Sequence, residues 1–266
     1  MCEMCKDRGI MKNMIYDIQK ANFWKRIAAW IFDLLLVATL AVGCGAALSS
    51  FLGYDDYSRA LEKAYDKYET QYGIVFDISQ QEYEAMTEAQ KETYDTAYDA
   101  LIADEEAMKA YNMMVNLTLV ITTCGILLAV LLWELLIPLF LGNGQTLGKK
   151  IFGLCLIRND GVKMNNLQLF ARTVLGKYAV ETMIPVCLLL MFFWGTAGLL
   201  GTVVLFGLAV AQLLCLILSR NNCAIHDFIA GTVVVDMASQ TIFSSTEELI
   251  AHQKKVAADR AARQPY

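Results

Sequence analysis

The chain has 266 residues, of which 56% are hydrophobic and 18% charged, with a mean hydropathy of +0.42 and a formal net charge of −5. A soluble domain carries about a quarter charged residues. Here the apolar residues gather in long blocks between polar stretches, which excludes a single soluble globule, a disordered chain and a collagen-like or disulfide-stapled scaffold. The acidic balance gives no support to a nucleic-acid partner.

Taken in chain order, segment 1–26 is basic, with Lys6, Arg8, Lys12, Lys20, Lys25 and Arg26. Its Cys2-x-x-Cys5 is at most half a zinc site. No second such pair exists, and His226 and His252 are far apart in sequence. No metal or other cofactor is expected. Block Ile27–Leu52 contains one charge, Asp33, and is long enough to cross a bilayer, which takes about 20 apolar residues. Ala41-Val42-Gly43-Cys44 falls short of a lipid-attachment site, so this first span is expected to stay attached.

Segment 53–112 has fifteen Asp/Glu against five Lys/Arg. Its capping patterns, Ser79-x-x-Glu82 and Thr87-x-x-Gln90, predict helices. So does the three-to-four spacing of Leu61, Tyr65, Tyr68 and Tyr72, and of Tyr94, Tyr98, Leu101 and Ile102. Two antiparallel helices are expected, turning around Gly73–Ser79, the second running on into the next span. The tyrosines suit helix–helix packing better than a ligand surface.

Block Met113–Leu141 contains one charge, Glu134, and reads as a second span. Connector 142–177 is basic, with Lys149, Lys150, Arg158, Lys163, Arg172 and Lys177. Its Gly142–Lys150 stretch lacks the spacing of a phosphate-binding loop. Gly153–Arg158 and Gly231–Asp236 are β-branched or apolar runs, the first followed by the turn Asn159-Asp160-Gly161. They predict two short strands that pair beneath the membrane. Leu167, Phe170, Ala171, Val174 and Leu175 predict an interfacial helix before the third span.

Block Tyr178–Leu218 contains one charge, Glu181, and is long enough for two spans, with Gly195, Gly198 and Gly201 near its middle. The alternative is one tilted span, three in all. Tail 219–266 carries five Lys/Arg and ends in an Ala-rich helical stretch. By the positive-inside rule, 1–26, 142–177 and 219–266 are cytoplasmic and 53–112 is outside. Four spans satisfy this and three do not. The expected fold is therefore an all-α membrane protein. It has four transmembrane helices, an extracytoplasmic helical hairpin and a small cytoplasmic β patch. Both termini are expected to lie on the cytoplasmic side of the cell membrane.

Ionisable groups inside a membrane are costly and usually face a partner or a water-filled cavity. Asp33, Glu134 and Glu181 all fall in the cytoplasmic half, with Asp33 and Glu134 at similar depth. They form either an ion- or proton-binding site between helices or a set of structural clamps. Arg26 lies seven residues before Asp33, on the same helix face. No serine, cysteine or metal constellation supports an enzyme, so no catalytic residue is assigned.

The motif Phe23-Trp24-Lys25-Arg26-x-x-Ala29-x-x-x-Asp33 resembles the opening of the RDD family of bacterial multi-pass membrane proteins. Gly144-Gln145-Thr146-Leu147-Gly148-Lys149-Lys150, with Gly153 and Asp160-Gly161, is similar to its next block. His226-Asp227-x-x-Ala230-Gly231-Thr232 is similar to its closing block. The resemblance covers about residues 20–237 and assigns the family's Arg and two Asp to Arg26, Asp33 and Asp227. Asp227 is expected to meet Arg26 or a connector lysine. The acidic insertion 53–112 and the long block 178–218 depart from a short core of this type.

The resemblance implies transport of an unidentified ligand, with H⁺ and Na⁺ among the candidates. The other reading is a non-transporting scaffold that presents its acidic helical segment to an outside partner. The expected partners are the lipid bilayer and that unidentified transported ligand, and a homo-oligomer is compatible with both readings.

Overall fold

The computed structural model describes Ile18 and residues 21–196, 198–219 and 222–263. The Cys2/Cys5 pair and the basic residues of the first twenty positions lie outside these. Four helices are long and apolar enough to cross a membrane: α1 (Phe23–Leu52), α5 (Glu105–Leu141), α7 (Asn166–Phe193) and α8 (Leu199–Leu218). Between α1 and α5 stand α2 (Tyr54–Tyr72), α3 (Gln80–Ala85) and α4 (Glu88–Ala103). Between α5 and α7 come α6 (Leu147–Ile151) and β1 (Leu154–Arg158). After α8 come α9 (Ile225–Ala230), β2 (Thr232–Asp236) and α10 (Thr246–Arg263). With only a two-stranded sheet beside these helices, the fold is that of an all-α membrane protein.

The chain forms two compact units. One comprises residues Thr39–Leu128; the other comprises Met1–Ala38 and Ala129–Tyr266. In the first, α2 and α4 pack through Tyr68 and Leu101, with Tyr65 and Phe76 against them. Phe76 meets Tyr65 and Tyr94 edge-on, at centroid distances of 5.4 and 5.7 Å. The Tyr94 hydroxyl donates to the Phe76 carbonyl at 3.2 Å. These tyrosines serve packing.

The helical segment differs from the expected pair in two respects. Each of the two capping boxes starts its own helix, giving a separate short α3 before α4. The second long helix also does not continue into the span. Asp104 interrupts it, accepting from the Glu106 and Ala107 N–H groups at 3.0 and 3.2 Å and so starting α5 afresh. In the same unit, small residues bring α1 and α5 together. A methyl group added at Gly125 would stand 3.2 Å from the Gly45 nitrogen and 3.4 Å from the Ala41 carbonyl. This is the close backbone approach typical of helices packing in lipid.

In the second unit, β1 and β2 pair antiparallel, with Leu156 opposite Val234 and Cys155 opposite Val235. Both faces of this ribbon are covered, so both strands read as continuous apolar runs. Leu154, Leu156 and Val234 pack with Ala21, Ala29 and Leu169, while Cys155, Ile157, Val233 and Val235 pack with Cys223. Because β1 precedes α7 and β2 follows α8, their pairing brings both ends of 166–218 to one place. A single tilted span could not do this. The chain turns back near Gly195, which adopts φ +68°. The expected interfacial helix is instead the first part of α7, since nothing in 166–177 breaks it from the span that follows.

Gly125→Leu forces two backbones apart and should destabilise the protein by about 1–3 kcal/mol, read as a lowered Tm in detergent. An unchanged Tm would show that the contact contributes nothing.

Candidate functional site

Two stretches with wide, π-type turns position most of the charged residues. Residues Leu131–Leu136 of α5 contain Glu134, and there the Ile137 N–H reaches back five residues to the Leu132 carbonyl. Residues Ala171–Met183 of α7 contain Arg172, Thr173, Gly176, Lys177 and Glu181. Such turns recur at functional sites because they rotate side chains away from the positions a regular helix gives them. The two stretches are joined where the Thr173 hydroxyl donates to the Glu134 carbonyl at 3.1 Å.

Asp227 is fully buried at the start of α9. Its Oδ1 receives the Nε and an Nη of Arg172, at 2.9 and 2.8 Å. Its Oδ2 accepts from an Nη of Arg26 and from the Ala224 N–H, both at 3.2 Å. Arg26 also donates to the Asn222 carbonyl. Arg172 is itself 2% exposed. Two guanidinium groups from different helices therefore close on one carboxylate.

Glu181 holds the same short helix from another side. It accepts the His226 N–H at 2.9 Å and lies 2.7 Å from His226 Nδ1. Gln212 of α8 accepts the Ile225 N–H at 3.2 Å. Three successive N–H groups at the start of α9 thus end on side-chain oxygens. The approach is close enough that a methyl group at Gly176 would lie 2.6 Å from His226 Cβ.

Asp33 does not meet Arg26. It is 3% exposed and accepts from Trp133 Nε1 and the Gly148 N–H, both at 3.0 Å, and from the Thr146 hydroxyl. Only glycine fits at 148, since a Cβ there would come 2.5 Å from the Ala29 carbonyl. Gly144 is equally confined, between Leu156 and Met164. Gly231 ends α9 in the left-handed conformation.

Glu134 forms a third cluster. Its Oε1 is bonded to Lys177 Nζ, and its Oε2 lies 3.9 Å from Lys149 Nζ with no hydrogen-bond partner among the described residues. Lys149 also reaches the Thr146 hydroxyl at 3.3 Å.

All the sequence-assigned charges except Asp227 line a single cavity of about 830 Å³. Arg26, Asp33, Glu134, Lys149, Lys177 and Glu181 stand at its polar end, with Arg172 and His226 beside them. Its remaining walls are apolar side chains of α1, α7 and α8. Asp33 and Glu134 share this cavity, but each is held by its own donors. From the sequence, Arg172 and Lys177 were only basic residues of the 142–177 connector, and Trp133, Gln212 and the contact of Thr146 with Asp33 carried no signal. A signal for the first two was their position in an otherwise apolar helix, with Lys177 four residues before Glu181. Among the described residues, no three His, Cys, Asp or Glu side chains are arranged to hold a metal ion.

The sequence model of the RDD family matches residues 20–231, a stretch that includes Arg26, Asp33, Asp227 and the glycines around them. The chain belongs to the RDD family. Over 108 residues it is 30% identical to a protein of Bacillus subtilis (strain 168) named Uncharacterized protein YckC, covering 40% of this chain and 56% of that relative. The chain thus spans little more than half the length of this curated relative. No solved structure matches it. Arg26, Asp33 and Asp227, which the resemblance assigns as the family's Arg and two Asp, fall into two separate polar clusters, Arg26 with Asp227 and Asp33 with the Thr146–Gly148 turn.

Outside the spans, burial shifts several charges. Burial lowers Lys149 to about 8, with Lys177 and Arg172 adding to the effect and Glu134 opposing it. Burial alone would raise Asp227, but Arg172, His226 and Arg26 together hold its carboxyl well below the usual range. Burial pushes His226 down, and Arg172 adds to this against the pull of Asp227 and Glu181.

The unfolded chain takes a proton at His226 near pH 6.5, whereas the folded site resists it until lower pH. Stability from this group is therefore present above about pH 6.5 and lost as pH falls through it, at up to about 1.4 kcal/mol per pH unit. Tm should fall between about pH 7.5 and about pH 5.5, and His226→Gln should flatten that slope. Equal slopes in the two proteins would contradict the assignment.

Proposed function

We propose that this RDD-family membrane protein is a transporter of the cell membrane whose cavity binds its solute together with a proton held by Lys149 and Glu134. The observation that carries this reading is the meeting of an intramembrane-sized cavity with an incompletely satisfied ion pair. Among the described residues, buried Glu134 Oε2 has no donor, and Lys149 Nζ stands 3.9 Å away at the cavity's polar end. A lysine held at about 8 changes charge under mild alkaline conditions, so its proton is available for exchange. An intramembrane carboxylate beside it supplies the acceptor that such relays use.

Asp33 has a different part in this reading. Its three donors come from α5 and from the Thr146–Gly148 turn, so it fixes α6 and carries Lys149 to the cavity. The polar end faces the cytoplasm. Support for that orientation comes from the basic segments 1–26, 142–177 and 219–266, which contain 17 Lys/Arg against 9 Asp/Glu. On this reading the protein moves its ligand unchanged and is not an enzyme.

In proteoliposomes given an external acid step, the protein should speed the fall in internal pH, followed with an enclosed pH-sensitive dye. The rate should vary with pH around a midpoint of about 8. Lys149→Gln and Glu134→Gln should each slow it about tenfold or more, equivalent to about 1.4 kcal/mol, while retaining a cooperative thermal transition. Rates equal to those of empty vesicles, or unaffected by either substitution, would contradict the reading.

A further inference from the structure

The polar end of the cavity is not balanced in hydrogen bonding. Arginine carries five N–H donors and lysine three. Among the described residues, Lys177 gives one donor to Glu134, Arg172 gives two groups to Asp227, and Arg26 gives one each to Asp227 and Asn222. Lys149 gives one to the Thr146 hydroxyl at 3.3 Å, and the remaining donors of these four side chains have no acceptor among the described residues. The carboxylates show the opposite condition. Both oxygens of Asp33, Glu181 and Asp227 receive donors, and Glu134 Oε2 alone does not. A bare metal cation would find one free carboxylate oxygen among four cationic side chains. An anion would find several donors and one acceptor suited to a hydroxyl or amine.

The rest of the cavity is apolar. Leu34 and Val37 of α1, Pro185 of α7, and Leu205, Leu208 and Leu213 of α8 line it. Leu34 and Leu213 are also among the exposed large hydrophobics. A volume of about 830 Å³ lies within the range of about 300–1,000 Å³ typical of organic ligand pockets. Water in such a space would have few partners away from the polar end. A charged head at one end and hydrocarbon along the rest satisfies both halves.

We propose that the cavity binds an anionic membrane lipid, its phosphate head on Lys177, Lys149, Arg172 and Arg26 and an acyl chain between α1, α7 and α8. The inference rests on the transport reading in taking the cavity as the ligand site, and it names the class of that ligand. The head group's own hydroxyl or amine then donates to Glu134 Oε2.

The test uses the full chain purified in mild detergent and incubated with phosphatidylglycerol, with phosphatidylcholine of the same acyl chains, or with glycerol phosphate. Retained ligand is counted by native mass spectrometry. Phosphatidylglycerol should be retained at least about tenfold more tightly than either other probe, or about 1.4 kcal/mol. Ala209→Trp, which fills the apolar wall without touching a charge, should reduce retention about tenfold; Lys177→Gln should reduce the preference over phosphatidylcholine. Equal retention of the two lipids overturns the head-group assignment. Equal retention of glycerol phosphate, or no effect of Ala209→Trp, overturns the acyl assignment. Proton flux that persists while no lipid is retained overturns this inference and leaves the transport reading standing. Lipid retained without proton flux does the reverse.

Discussion

The buried carboxylate of Asp227, closed between Arg26 and Arg172, is the interaction on which the second compact unit depends. It ties the start of α1, the wide-turned part of α7 and the start of α9 to one point. Desolvating these charges costs several kcal/mol per ion, and only close geometry with further hydrogen bonds offsets it. Here each guanidinium has an oxygen in reach and the Ala224 N–H donates to the same carboxylate. Removing any one partner leaves an uncompensated charge away from water, so the cluster tolerates little change.

That cluster also sets the position of the cavity. With α9 fixed by Asp227, Glu181 and Gln212, the charged end of the space is walled on one side by His226 and Arg172. Asp33 fixes the opposite side by holding the Thr146–Gly148 turn, which brings Lys149 towards Glu134. The result is a rigid polar end with one loosely satisfied pair. Asp33 and Glu181 are thus held on both oxygens by structural contacts, and among the described residues Glu134 alone of the three keeps an oxygen without a donor.

The spans, the hairpin at Gly195 and the two paired strands were legible because they rest on local signals: apolar length, turn residues and β-branched runs. Strand pairing between 154–158 and 232–236 also decides four spans over three. The identities of the ion pairs were less legible. Arg26 with Asp227 was expected, but Arg172 with Asp227 and Lys177 with Glu134 join residues 55 and 43 positions apart, and no periodic pattern reports such contacts. The wide turns of α5 and α7 obscured them further, since they rotate side chains off the faces that a 3.6-residue repeat assigns. Asp33 sat on the same predicted face as Arg26, yet it turns to Trp133 and Gly148 because the glycine admits a backbone N–H where a side chain would block it. The break at Asp104 was missed because an acidic residue in an acidic segment gives no contrast until its cap bonds are seen.

The most direct test of this account is a double-mutant cycle on Arg172→Gln and Asp227→Asn, with unfolding free energies measured in mixed micelles. If the closed carboxylate organises the unit, each single substitution should cost about 3–5 kcal/mol. The double variant should then be less destabilised than the sum of the two by about 1 kcal/mol or more. Additive losses, or single losses below about 0.5 kcal/mol, would show that the two residues do not act together and would contradict the central role given to Asp227.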